Sequence, residues 1–187
     1  MEFLKNIVRA YIREAFEGET PREQKTQSNF NWQESYPTDL KSSLEISGSN
    51  VKLYHYGADG ENGYLDPEFF GKNPHTASDV KQWGQKRIFF YIHKGDKEQR
   101  INGKEYIVEY PLDKLYPFNS DPYHFYEDCM VDIHGQKMVD LHGDSLGLNF
   151  NRQISCIGKK VKDAGFDGMV MNWGDTYRVD IWVKVSV

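Results

Sequence analysis

No stretch of the 187-residue chain carries the ~18 consecutive apolar residues of a membrane-spanning helix, so nothing in it reads as a span. Cysteine is scarce: the 2 present, Cys129 and Cys156, are too few for a disulfide framework and lack metal-ligand spacing. They read as plain core residues of a protein from a reducing compartment. Positive charge is also in short supply, with 23 Lys and Arg against 28 Asp and Glu and a net charge of −5. That balance argues against the broad basic face needed for non-specific nucleic-acid binding, although local basic patches are compatible with it. The apolar share is only 39%, below the usual globular average, while Phe, Trp and Tyr reach 14%. The core must therefore lean on 12 Tyr, 11 Phe and 4 Trp, many of them half buried. The N-terminal segment has neither the apolar block nor the small-residue cleavage site of a secretory leader. There are no repeats and no low-complexity tract, and the length fits one domain with a proper core.

What is present reads as alternating patterns. Residues Met1 to about Glu17 place Phe3, Leu4, Ile7, Val8, Tyr11, Ile12, Ala15 and Phe16 at the spacing of one helical stripe. Residues 18–50 turn to Glu, Gln, Ser, Thr, Asn and Pro with scattered rings, too polar for a core of their own, and read as a polar linker or surface arm. A strand over Val51–Tyr56 opens the main domain, 51–187, and a second runs over Arg87–His93 before the turn signal Lys94-Gly95-Asp96. Tyr106–Tyr110 reads as a strand stopped by Pro111. A short helix is expected after Asp121-Pro122, and a longer one over Arg152–Ala164, with Ile154, Ile157, Val161 and Ala164 in register and Gly165 as the stop. Met169–Asn172 and Tyr177–Val187 make a closing hairpin around Gly174-Asp175. Strands joined by loops with few helices predict an α+β domain with mainly antiparallel pairing.

Two stretches carry candidate chemistry. Leu53-Tyr54-His55-Tyr56-Gly57, followed by Leu65-Asp66-Pro67 and Phe69-Phe70-Gly71, sets one histidine on an apolar strand beside a loop rich in glycine and rings. That is how a chain builds the edge of a cleft for a flat polar ligand. Asp66 in this loop reads as an Asx-turn residue bonding backbone N–H groups ahead of it. The second stretch crowds His124, Asp128, Asp132, His134, Asp140, His142 and Asp144 together, which admits a metal-dependent hydrolase as a weaker reading. No compact ligand spacing recurs there, and a solvated Asp/His loop is the commoner explanation.

The first stretch, the Phe-Phe-Tyr strand at Arg87–His93 and the late Gly165-Phe166-Asp167-Gly168 before two closing strands together resemble ADP-ribosyltransferase-like domains of phages and bacterial toxins, in the branch with a histidine on the first strand. The resemblance covers roughly Val51 to Val187. It implies two small, mainly antiparallel sheets gripping NAD in a cleft, with NAD as substrate. His55 would then bond the NAD ribose, the backbone of Tyr56 and Gly57 would lie near the nicotinamide amide with Tyr54 among the NAD contacts, and Tyr91, or else Tyr56, would stack on the nicotinamide. Arg87, with Lys52, Lys72 and Lys86, would meet the phosphates. The family's late acidic residue is usually glutamate, and this chain has none after Glu127. Asp175 is the nearest match, with Asp180 second. Without the resemblance, His55 reads equally as a hydrogen-bonded structural histidine, Tyr91 as core and Asp175 as a hairpin residue.

The N-terminal helix resembles short leaders that target internal proteins of tailed phages into the prohead, cut after triplets such as Ile12-Arg13-Glu14; an amphipathic helix docking on the domain or a partner is the alternative. The resulting expectation is a phage-encoded mono-ADP-ribosyltransferase acting on a host protein or nucleic acid in the host cytoplasm, packaged in the phage head before delivery, with no membrane association. The alternative is a non-catalytic virion or host-interaction protein of the same fold.

Overall fold

Phe30, Tyr36, Leu40 and Leu44, scattered through the stretch that reads as a polar arm, are all buried in the same core as the sheet. The computed structural model describes residues 25–57, 63–69, 86–94, 104–135, 150–172 and 176–187. The expected Met1–Glu17 helix with its Ile12-Arg13-Glu14 triplet, the Phe70-Gly71 pair, Lys72, Asp140, His142, Asp144 and Asp175 lie outside these residues. The arm holds two short helices, α1 (Trp32–Ser35) and α2 (Thr38–Ser43). Asn31 caps the first, its side chain accepting from Gln33 N at 3.1 Å, as an Asn at this position does. The Tyr36 phenol donates to Leu115 O at 2.9 Å, and burial pushes its pKa well above the ordinary tyrosine range. From Lys25 on, the arm therefore belongs to the folded unit: a few well-spaced rings anchor it where its average composition is polar.

The strands are β1 (Ile46–Ser47), β2 (Asn50–Gly57), β3 (Tyr64–Leu65), β4 (Ile88–Tyr91), β5 (Lys104–Pro111), β6 (Leu115–Pro117), β7 (Gly168–Asn172), β8 (Tyr177–Ile181) and β9 (Val185–Ser186). Seven of them form one curled sheet in the order β1-β2-β4-β8-β7-β6, with β5 paired to β2, and β3 pairs β9 in a separate two-stranded piece. Among the described residues only β6–β7 is parallel. The architecture is mixed α+β, with one large curled sheet and the small β3–β9 piece. Its halves meet thinly: β5 matches β2 along eight register pairs, from Asn50↔Pro111 to Gly57↔Lys104. By contrast β2 and β4 share one pair, Tyr54↔Tyr91.

The helices α3 (Phe125–His134) and α4 (Phe150–Asp163) pack on each other, α4 offering the buried Ile154, Ile157 and Val161 at helical spacing. Their contact includes a disulfide between Cys129 and Cys156, with Cα atoms 5.9 Å apart. This corrects the reading of two plain core thiols: two helices far apart in sequence bring the sulfurs together, and a count of cysteines carries no information about that. With the two sulfurs joined, the cysteines no longer point to a reducing compartment. Around the helices, rings pack in tilted and edge-on pairs, Phe30 on Phe166 at 5.0 Å and Tyr116 on Phe125 at 5.2 Å between centroids. Such geometries each add about 0.5–1.5 kcal/mol beyond area burial.

Gly165-Phe166-Asp167-Gly168 is explained by structure alone. Gly165 takes φ +92° beyond the end of α4, a left-handed backbone that suits glycine. Phe166 fills the core, and Asp167 accepts from the Tyr110 phenol at 2.9 Å. Gly168 lies where β7 runs between β6 and β8, and a Cβ there would stand 2.5 Å from Asp180 O. The Leu-Asp-Pro turn is likewise structural: Asp66 Oδ1 accepts from Glu68 N at 2.9 Å, the Asx turn expected, and Lys184 Nζ sits 2.7 Å from Asp66 Oδ2.

Candidate functional site

The thin junction between β2 and β4 gathers most of the described candidate residues. Directly paired residues place their side chains on one face of a sheet, and successive residues alternate between faces. Tyr54 pairs Tyr91, Tyr91 pairs Arg178, and Phe89 pairs Asp180, so these five share a face. Tyr56 joins them, its ring centroid 6.3 Å from that of Tyr91. The Tyr54 phenol donates to Glu45 at 3.1 Å, and Lys52 lies 3.6 Å from the same carboxylate.

Beside the tyrosines lies an ionic cluster. Arg87 Nε is 3.0 Å from Asp180 Oδ2, and Arg178 Nε is 3.0 Å from Asp180 Oδ1. The two guanidinium groups also stack on the Phe89 ring, 4.9 and 4.6 Å from its centroid. Arg87 and Asp180 are 2% and 0% exposed, whereas the Arg178 side chain keeps 12%. Asp180, the second candidate for the acidic group, is thus enclosed between two cations. Arg178 was not singled out from the sequence; its signal was the alternation of Arg178 and Asp180 along one strand.

His55 points the other way. Its ring lies among Phe90 and Tyr106, with centroids 5.5 and 6.2 Å off, on the opposite face from Tyr54, Tyr56 and Tyr91. Its Nδ1 is 2.6 Å from Phe89 O; a carbonyl only accepts, so Nδ1 carries the proton. Burial lowers the His55 pKa below 6.5, the hydrogen bond to Phe89 opposing it, and the ring is neutral at pH 7. Had β2 and β4 continued their ladder past Tyr54↔Tyr91, Tyr56 would face Phe89; there the histidine ring links the strands instead. Gly57 keeps that link open, because a Cβ would stand 2.6 Å from His55 Nε2.

The structure therefore brings Tyr54, Tyr56, Tyr91, Arg87 and Asp180 to one face and leaves His55 on the other. The expected phosphate partners Lys52 and Lys86 form ion pairs with Glu45 and Glu68, the latter at 2.5 Å. In the Asp/His stretch, Asp128 pairs Lys25 at 2.7 Å, Asp132 pairs Lys160 at 2.6 Å, and His124 lies 3.7 Å from Glu127. Among the described residues no group of three or more His, Cys, Asp or Glu side chains is placed to hold a metal ion. Nor does any described helix have the length and apolarity to cross a membrane. No protein family, curated protein or solved structure matches the chain.

Proposed function

We propose that the chain is an ADP-ribosyltransferase that uses NAD as its substrate and works at the β2/β4 junction. The observation that carries the reading is the convergence there of three tyrosines, Tyr54, Tyr56 and Tyr91, with the Arg87–Asp180–Arg178 cluster at a sheet held together by one register pair. A tyrosine ring stacks on nicotinamide, and Arg178, which keeps some exposure, meets a phosphate oxygen. In transfer, an acceptor nucleophile bonds to the ribose anomeric carbon while the glycosidic bond breaks. Nicotinamide leaves with the bonding electrons, and the nucleophile's proton goes to solvent. Positive charge builds on the ribose meanwhile, and a nearby carboxylate lowers that barrier. Asp180 is committed to two arginines, so that carboxylate is assigned to Asp175, which follows β7 in sequence. His55 supports the site from behind by linking β2 to β4, rather than by touching the ribose.

A second reading has its own observation. Asp180 sealed between guanidinium groups, with no glutamate after Glu127, fits a domain of this fold that binds without turnover, as a virion or host-interaction module. Labelled NAD incubated with host lysate separates the two. Transfer of label to an acceptor, lost in Asp175→Ala, supports the enzyme; NAD binding without transfer supports the binding module.

A further inference from the structure

Roughly 14 Å from β4, three strand spacings across the sheet, β6 leads into a cleft in front of α3. The cleft holds about 300 Å³ and gathers side chains from three places: Asn119 from the turn after β6, His124 and Glu127 from the start of α3, and Gln153 from α4. Phe118, Tyr126 and Ile157 also line it. Its charge pattern decides what fits. Among the described residues no lysine or arginine lines it, which disfavours phosphates and carboxylates. Two of the N–H groups that open α3 are already taken, since Asp121 accepts from Phe125 N at 3.0 Å and Tyr126 N at 2.8 Å. The same carboxylate also accepts from the Tyr116 phenol, so its charge is already met by three donors. Glu127 is largely solvated, with 77% of its side chain exposed, and gives little pull on an organic cation. What is left is a set of amide, imidazole and carboxylate side chains beside three aromatic or aliphatic residues, which suits a neutral ligand bearing several hydroxyl groups.

We propose that this cleft binds a neutral polyhydroxylated ligand the size of one sugar ring, the cleft lying at the small end of the usual range of about 300–1,000 Å³ for ligand pockets. Asn119 is held for this by its Oδ1, which accepts from Asn172 N at 2.6 Å and leaves the amide NH₂ to donate. Asp121 and His124 both take positive φ, 41° and 54°, in the turn that sets His124 at the mouth. The site does not depend on the NAD reading.

The test titrates the full-length chain with D-glucose, D-ribose and N-acetyl-D-glucosamine, followed by saturation-transfer NMR, with inorganic phosphate and putrescine as charged probes. Gln153→Ala and Glu127→Gln sit on helix surfaces, and their melting curves check that both still fold. The expected result is saturable binding of at least one sugar, weakened tenfold or more in Gln153→Ala, with neither charged probe binding. Absence of saturable binding for all three sugars, equal affinity in both variants, or saturable binding of phosphate or putrescine would overturn the proposal.

Discussion

Arg87 and Asp180 form an ion pair 3.0 Å long that is almost sealed from water, with 2% and 0% of the side chains exposed. Arg178 completes it from the other carboxylate oxygen. Removing the shared carboxylate leaves two guanidinium groups facing each other in a dry environment. Asp180→Ala should therefore lose about 3–5 kcal/mol of stability. Urea unfolding measures it; a loss under about 1 kcal/mol would mean that water reaches the cluster.

His55 should leave a pH signature in stability. Its folded pKa is lowered by burial below the ordinary 6.5, so the unfolded chain binds the proton more readily. The stabilisation is fully present above about 6.5 and is lost as pH falls through that value toward the folded pKa, with a slope of at most ~1.4 kcal/mol per pH unit. His55→Gln should flatten the dependence between about pH 7.5 and 5.5, above the range where carboxylates titrate. Identical slopes in both proteins, from urea unfolding at several pH values, would count against a buried neutral ring.

Gly168 tests the close packing of β7. A Cβ at this position meets Asp180 O at 2.5 Å and Leu115 Cδ2 at 2.9 Å, and the first is backbone that cannot swing aside. Gly168→Ala should cost about 1–3 kcal/mol and lower the melting temperature. Gly48→Ala, where a Cβ would meet nothing within 4 Å, separates crowding from backbone strain, since Gly48 has φ +62° and Gly168 has no positive φ.

The disulfide links residues 27 apart, and closing a loop of that length stabilises by about 3.5 kcal/mol in the chain-entropy account. Purified without reductant, the protein should take up no iodoacetamide before reduction and one label on each cysteine after unfolding and reduction. Reductant should lower its melting temperature. Two labelled thiols before reduction would contradict the bond.

Periodicity made much of this fold legible. The alternation in Val51–Tyr56 and the stripe of Ile154, Ile157 and Val161 fell near their observed places, because each pattern is local; the strand expected over Tyr177–Val187 ends at Ile181, and Val185–Ser186 pairs β3 instead. The face on which a residue lies relative to a distant strand is not local. His55 and Tyr91 part company because Tyr54, not His55, pairs with Tyr91, and a one-residue register change would have put them together. Phe30 and Tyr36 were hidden by polar neighbours that say nothing of where two rings insert. Asp180 read as a candidate acid because Arg87, which encloses it together with its strand neighbour Arg178, precedes β4 far away in sequence.

The central claim is that NAD binds on the tyrosine face at the β2/β4 junction, and calorimetric titration of NAD into the full-length chain tests it most directly. The account predicts saturable binding with a dissociation constant of about 1 mM or tighter, weakened at least ~tenfold in Tyr91→Ala, which removes a stacking ring worth about 1.4 kcal/mol. A titration with no saturable heat, or one that Tyr91→Ala leaves unchanged, would contradict it.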